Sequence, residues 1–516
     1  MKLQILIGLL LTSVSFAHHP GDFVPEDALA VVSFKNGDSI NATLKSINDQ
    51  SGLPSGAPNA IELTQYFENP SAVDYSSEVL IILTPTKLAE GQKPVGMFGP
   101  MPHMMVVCKA KTGQNLEIRK TGGLITSTIV DGWFIGSGAD NWTPNNSGSH
   151  SPILENLPKA QVSATVDFAA VWKQFGSIGQ MLGGMAIGSL NSPGPTGVIT
   201  PKRKKATAAA SKGFKEFTKW CASVKTISVG LNFDKYTVDV NIDVDMKEAK
   251  NLTIDNRSLL EMSRLLSTDM MQYAMSGKLS RKLIDMDLDS LSDLVPSGDG
   301  YPSFMTSQLK AMVDSIDDNV VTYALDTQNG FTLGSLSDVE DQDQYLKDTF
   351  GVVSEMTGML LNEFQMELSL TNTPNTWDVK MLPKDAEDAK VMEAFLHKGT
   401  SLRFQKYGKK RIAMVLNVLG SRQPFERAHS TPLSEVMREH AGSVDIDYAC
   451  SFDARSMVVG ITETVRIADP KEGIPKIGTT PSARSSLLFG TTETGTFIEF
   501  KSDLLGVAKL VAELSK

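Results

Sequence analysis

The stretch Thr226-Ile227-Ser228-Val229-Gly230-Leu231-Asn232-Phe233-Asp234-Lys235-Tyr236-Thr237-Val238-Asp239-Val240-Asn241-Ile242-Asp243-Val244-Asp245 decides how this chain folds. In its second half Val238, Val240, Ile242 and Val244 alternate with Asp239, Asp243 and Asp245. Successive side chains of a strand point to opposite faces, so this spacing predicts one apolar and one wet face. Two such runs this close in sequence pair as an antiparallel hairpin, because a parallel return needs a long crossover.

Working outward, the same vocabulary recurs. Val162–Phe168 alternates as a strand and hands over to a helix carrying Val171, Phe175, Ile178, Leu182 and Met185 on one face. Ala206–Val224 predicts a further helix. Ala28–Phe34 is a strand, followed by Asp38 or Ser39 as cap of a helix through Ile47. Val79–Leu83 and Met104–Cys108 are buried strands. Ile125–Gly136 holds two strands joined at Asp131-Gly132, since glycine accepts the positive φ of a tight hairpin turn. Leu259–Met275 is expected to be helical.

Further on, Val320–Asp326 and Phe331–Leu336 flank Asn329-Gly330, and Ser337 or Asp338 is expected to cap a helix to about Leu361. Met366–Leu370 with Trp377–Leu382, and Leu402–Gln405 with Arg411–Leu419, read as hairpins. Val444–Cys450 is expected to pair with Met457–Thr464, and Ser486–Phe500 adds strand. Leu504, Val507, Val511 and Leu514 mark a last helix with Ser502 as its cap. Hairpins outnumber β-α-β crossovers, which predicts an α+β fold of two similar halves. Each is a mainly antiparallel sheet with helices packed on one face. Pro296, Gly298, Gly300 and Pro302 place the boundary, giving a first half over 18–295 and a second over 305–516. Phe34, Phe168 and Phe500, each closing an alternating strand before a helix, suggest duplication.

The first 17 residues read as a secretory signal peptide: Lys2, an apolar Leu3–Leu11 run, then Ser15 and Ala17 at the −3 and −1 positions of a cleavage site. The run is too short to span a bilayer, which takes about 20 residues. The expected location is periplasmic or extracellular. The 516-residue chain is 41% hydrophobic, enough to bury a core, and carries a net charge of −10, a surface expected to repel nucleic acid and anionic lipid alike, since both partners want a basic stripe. No later apolar run is long enough to span a membrane. The basic cluster Lys202-Arg203-Lys204-Lys205 reads as a solvated linker, with contact to an anionic surface as the alternative. Cys108, Cys221 and Cys450 show no metal-ligand spacing, and no disulfide essential for folding is expected.

Pro25-Glu26-Asp27-Ala28-Leu29-Ala30-Val31-Val32 soon after a signal peptide, with Val130-Asp131-Gly132-Trp133-Phe134-Ile135-Gly136 later, resembles a group of large, duplicated exported bacterial proteins to which no activity is assigned. The likeness covers about the first 250 residues. It implies the fold class and the compartment, and it implies no catalytic residue.

Several residues offer candidate chemistry. Cleavage after Ala17 exposes His18-His19-Pro20; an N-terminal histidine chelates copper through amine and imidazole, an arrangement that resembles the histidine brace of copper-dependent oxygenases. Met97, Met101, His103, Met104 and Met105 offer thioethers suited to Cu(I), against a plain packing role. The metal candidates are therefore His18, His19, Met97, Met101 and His103. Asp285, Asp287, Asp289 and Asp293 fail the calcium-loop template at Ser290 and Pro296. His429, Glu435, Glu439 and His440 share a helix without an HExxH, and Glu439 and His440 are expected on different faces. The glycine-rich Gly176–Ser189 reads as a packed core helix, with lipid or a partner helix as the alternative. Catalytic residues are unassigned and no cofactor is expected. The function expected is that of an exported, non-enzymatic protein binding another envelope protein or an apolar ligand. An exported hydrolase with a dispersed active site and a copper-binding protein stand as alternatives.

Overall fold

The structure is a computed structural model, and it describes residues 19–52, 63, 65–86, 101–119, 122–139, 151–190, 201–248, 251–266, 270–279, 314–326, 330–351, 366–373, 376–383, 400–418, 425, 428–468 and 482–514. The boundary stretch around Pro296–Pro302, the four aspartates Asp285–Asp293, and residues 1–17, which are expected to be a signal peptide, lie outside the described residues.

Strands β1 (Ala30–Phe34), β2 (Val79–Thr84), β3 (His103–Lys109), β4 (Thr126–Val130), β5 (Trp133–Ser137), β6 (Val162–Val166), β7 (Val224–Asp234) and β8 (Thr237–Met246) come from the first part of the chain. Strands β9 (Met271–Ser276), β10 (Ile316–Asp326), β11 (Gly330–Val339), β12 (Met366–Thr373), β13 (Thr376–Pro383), β14 (Thr400–Tyr407), β15 (Arg411–Val418), β16 (Asp445–Asp453), β17 (Arg484–Thr491) and β18 (Gly495–Asp503) follow. Their pairings join all 18 into one sheet, and every pairing is antiparallel. Read across the sheet, the order is β4-β5-β3-β2-β1-β6-β7-β8-β18-β17-β16-β9-β10-β11-β15-β14-β13-β12. The two parts of the chain thus occupy contiguous blocks that meet where β8 pairs β18, from Gly495 opposite Asp245 to Asp503 opposite Thr237. The α+β, mainly antiparallel expectation holds.

The hairpin read from Thr226–Asp245 forms as β7 and β8, with Ile227 opposite Val244 and Leu231 opposite Val240. At the β4–β5 turn Asp131 has φ 47° and Gly132 φ 79°, the left-handed backbone such turns require.

Helices among the described residues include α1 (Gly37–Ser51), α2 (Phe168–Leu190), α3 (Pro201–Ser223), α4 (Arg257–Ser263), α5 (Pro432–His440), α6 (Ala454–Ala468) and α7 (Leu504–Leu514), besides a single turn at Pro152–Glu155 and a helix over 342–351. The packing departs from one covered face per sheet. In the first block Val79, Val106, Cys108 and Phe134 pack with Ile40 of α1, whereas Leu80, Ile82, Met105, Val107 and Ile135 pack with Phe23, Val24 and Ile153 on the other face. Strands covered on both sides read as continuous apolar runs, which is why Val79–Leu83 lacks alternation. A third core joins α4 and α5 to the second block through Leu259, Met262, Leu433, Met437, Ala274, Val320 and Ala449.

Five expectations are corrected. Helix α7 is capped not by Ser502, which stays in β18, but by Asp503, whose Oδ1 accepts the Gly506 N–H at 3.0 Å. Helix α1 starts one turn early, capped by Asn36, whose Oδ1 accepts the Ser39 N–H at 3.3 Å. The Leu259–Met275 helix stops at Ser263, because Met271–Ser276 becomes a strand between β10 and β16, with Gln272 and Ala274 buried. Tertiary pairing overrides the helix preference of Met271, Gln272, Ala274 and Met275 there. Ser337 and Asp338 stay in β11, and the helix over 342–351 is capped instead by Asp341, whose Oδ1 accepts the N–H groups of Asp343 and Gln344. Met457–Thr464 is helical; Asp453 Oδ1 accepts the Ser456 N–H at 3.1 Å to open α6, and β16 pairs with β17 and β9.

Candidate functional site

Strand β6 ends beside the start of β7, with Val166 opposite Ile227. Everything between must leave the sheet and return to the same place, so α2 and α3 form a helical hairpin. At 1.5 Å per residue, each 23-residue helix is about 34 Å long. Asp167 Oδ1 accepts the Ala170 N–H at 2.9 Å to open α2. An aromatic ladder binds the two helices: Phe168 stacks on Trp172 and tilts against Trp220, Trp220 stacks on Phe217, and Phe217 meets Phe214. Gly183 makes the close approach possible, since a Cβ there would lie 2.1 Å from the Phe214 ring.

The packed-core expectation for Gly176–Ser189 is corrected: α2 contacts α3 and β7, and its distal half faces outward. Met181 is 40% exposed, Leu182 49% and Met185 66%; on α3 Phe217 is 53% and Trp220 39% exposed. Large apolar side chains are thus left exposed on both helices of this element. Charge sets the helical hairpin apart as well. From Phe168 to Ser223 it holds eight basic residues and one acid, Glu216, a net +7 in a chain of net −10. On α3, Lys212, Lys215 and Lys219 share one face at i, i+3, i+7, while Phe214, Phe217 and Cys221 share another.

A second feature is a polar cleft of about 510 Å³ between α4, β9, β10 and β16, lined by Asp255, Arg257, Lys278, Asp318, Arg411 and Asp445 among others. Its cations are already paired: Arg257 with Asp255 at 2.7 Å, Lys278 with Asp445 at 2.7 Å, and Arg411 with Glu261 at 2.9 Å. Burial pushes the Asp318 carboxyl up to about 6, against donors from Gly277 and Ser258 and with the help of Asp338 and Asp317.

A third cluster joins α5 to β18. His440 Nε2 lies 3.0 Å from Glu499 Oε1, and the Lys501 ammonium pairs with Glu439 and, at 3.2 Å, with Glu499. The His440 ring also packs on Phe497 at 4.9 Å. Glu439, His440 and Glu499 bring ligand atoms within 4.8 Å of one another, so these neighbours in sequence share one cluster rather than opposite faces. The sequence signal was Glu499 itself, on the inward phase of β18 between buried Phe497 and half-buried Lys501. Burial raises the carboxyls of Asp239 and Asp243 on the adjacent β8.

Of the copper candidates, the described His19, Met101 and His103 do not enter this cluster. His18 and Met97 lie outside the described residues. His19 Nδ1 accepts the Gly21 N–H at 3.1 Å and its Nε2 lies 3.4 Å from Glu78, so both ring nitrogens are engaged. Met101 is exposed, and His103 opens β3 opposite Thr84. His429 N–H donates to the Arg264 carbonyl, and Glu435 accepts from Ser430. All three cysteines are free and buried.

No family model matches this chain, and no curated protein matches it. Among solved structures it is similar to crystal form III of TP0453, with 8% identity over 50% of this chain and 98% of that one at a TM-score of 0.22. Crystal form I of TP0453 matches at 8% identity over 51% and 99%, with a TM-score of 0.21. At this level the likeness carries no argument.

Proposed function

We propose that this is an exported, non-enzymatic protein of the cell envelope or extracellular space that acts by apolar contact, with the α2–α3 helical hairpin as its working element. The observation that carries this is the exposure of Met181, Leu182, Met185, Phe217 and Trp220 on an element that leaves the sheet and returns to it. The signal peptide over 1–17 supports export, and the Pro25–Val32 and Val130–Gly136 resemblance supports membership of the duplicated exported group.

Duplication has its own support in the strand order. The series β3-β2-β1-β6-β7-β8 is repeated by β11-β10-β9-β16-β17-β18, and the two meet at the antiparallel β8–β18 pair. In both series helix intervenes at the same step: α2–α3 between β6 and β7, and α6 between β16 and β17. Helix α6 also presents an exposed apolar residue, Ile461. The two halves thus keep one plan, and the first has elaborated its crossover into a contact device. This equivalence does not use the Phe34, Phe168 and Phe500 echo, since those residues fall at non-equivalent steps.

The test is binding of the neutral apolar dye Nile red to the secreted chain and to the exposed-residue variant Met181→Gln, Leu182→Gln, Met185→Gln. Fluorescence gain in the parent, lost in the variant, is expected; equal gain in both rejects the helical hairpin as the contact element. N-terminal sequencing of secreted material checks the Ala17–His18 cut, and recovery of the uncut chain in the cytoplasm rejects export.

A further inference from the structure

We infer that the surface met by the α2–α3 helical hairpin is an anionic lipid membrane, onto which the hairpin lies rather than through which it passes. This rests on the contact reading above and names its partner. Two independent properties of the same element lead to it. The first is apolar: Met181, Leu182 and Met185 on α2 and Phe217 and Trp220 on α3 are all exposed, and the aromatic residues are suited to the boundary between headgroups and acyl chains. The second is charge: the hairpin's net +7 stands in a chain of net −10, and Lys204, Lys212, Lys215 and Lys219 are all exposed. A basic amphipathic helix on an acidic protein is complementary to anionic headgroups, and lysine stems reach past the apolar face to place their ammonium groups at phosphate level.

The geometry fits an interfacial pose. No helix among the described residues is long and apolar enough to cross a membrane. Because α2 leaves the sheet where α3 returns, the hairpin can enter the interface while the sheet stays in water. The glycines of α2, including Gly184 and Gly188, leave that face thin, so the bulkier Met185 and Leu182 form its relief. A nucleic acid would gain from the lysines but not from the methionines and leucine. A purely apolar protein partner would gain nothing from the lysines.

The experiment is co-sedimentation of the secreted full chain with vesicles of phosphatidylcholine alone and of phosphatidylcholine mixed with phosphatidylglycerol, at low and physiological salt. Three proteins are compared: the parent, the Met181→Gln, Leu182→Gln, Met185→Gln variant, and a Lys212→Gln, Lys215→Gln, Lys219→Gln variant. All six side chains are exposed, so folding should be retained, and circular dichroism checks it. Binding to the anionic vesicles alone, weakened by salt and more than tenfold by each variant, is expected. Equal binding to both vesicle types overturns the inference, as does binding that neither variant weakens. A dimer in analytical ultracentrifugation that the apolar variant dissociates, without vesicle binding by the parent, overturns it in favour of a second copy. If vesicles are not bound but Nile red still separates parent from apolar variant, the lipid inference fails and the contact reading stands. If the dye does not separate them either, both fail.

Discussion

His440 Nε2 lies 3.0 Å from Glu499 Oε1, tying the end of α5 to the middle of β18 across a site where the Glu499 side chain is 4% exposed. A buried carboxylate is tolerated when opposite charge and donors outweigh its desolvation. Here burial pushes the Glu499 carboxyl up, but the hydrogen bond and charge of His440 and the Lys501 ammonium outweigh it, and the net displacement is downward. A carboxyl with a depressed folded value stabilises the fold above its unfolded pKa, and that contribution is lost as pH falls through the folded value.

Glu499→Gln should therefore destabilise the chain at neutral pH, by about 2–4 kcal/mol, because His440 and Lys501 lose a buried partner. The difference from the parent should shrink under acid conditions below the usual glutamate range. Urea midpoints at pH 7 and under acid check this; a difference that grows on acidification would contradict the sign.

Asp318 has the opposite sign. Its folded value, raised to about 6, means its contribution is fully present below the unfolded aspartate range and is lost as pH rises through about 6. Asp318→Asn removes that penalty and should stabilise the chain by about 1–2 kcal/mol at pH 8, with little change at strongly acid pH. The check is the urea midpoint of parent and variant on both sides of pH 6.

Gly495 sits where the two blocks of the sheet meet, and a Cβ there would lie 1.8 Å from the Val244 carbonyl oxygen. Since backbone cannot swing aside, Gly495→Ala should cost about 2–3 kcal/mol or more. Gly184→Ala, where a Cβ meets nothing within 4 Å, should be neutral or slightly stabilising. Thermal melts of the two variants form the comparison.

Asn256 is buried and ties three backbone groups together: its Nδ2 donates to the Ala441 and Val444 carbonyls and its Oδ1 accepts the Ile446 N–H. Asn256→Ala should cost about 2–4 kcal/mol, leaving buried groups without partners. Urea midpoints of parent and variant check this.

Cys108 is fully buried, and that burial pushes its thiol up to about 12. Cys221 and Cys450 are likewise buried with thiols displaced upward by burial. Because the thiolate is the reactive form, a thiol reagent should leave all three nearly untouched in the folded chain and titrate all three in denaturant. Fast labelling of the native protein would contradict the burial.

The sequence by itself determined the local elements whose signals are contained in a few residues. The Val238–Val244 alternation, Asp131-Gly132 and the paired runs around Asn329-Gly330 each became antiparallel hairpins, and their abundance fixed an antiparallel α+β sheet. Such signals depend on backbone preference and side-chain period, which neighbours supply. Tertiary structure decided the rest. Met271–Ser276 is a strand because β10 and β16 offer ladders on both its sides, and Met457–Thr464 is a helix because β17 had taken the place beside β16. Whether α2 lay in a core or outside was not written in its apolar face, since the same stripe serves either; the return of β7 beside β6 put it outside. His440 and Glu499 stand 59 residues apart, and no spacing in the chain could bring them to 3.0 Å before the sheet was assembled.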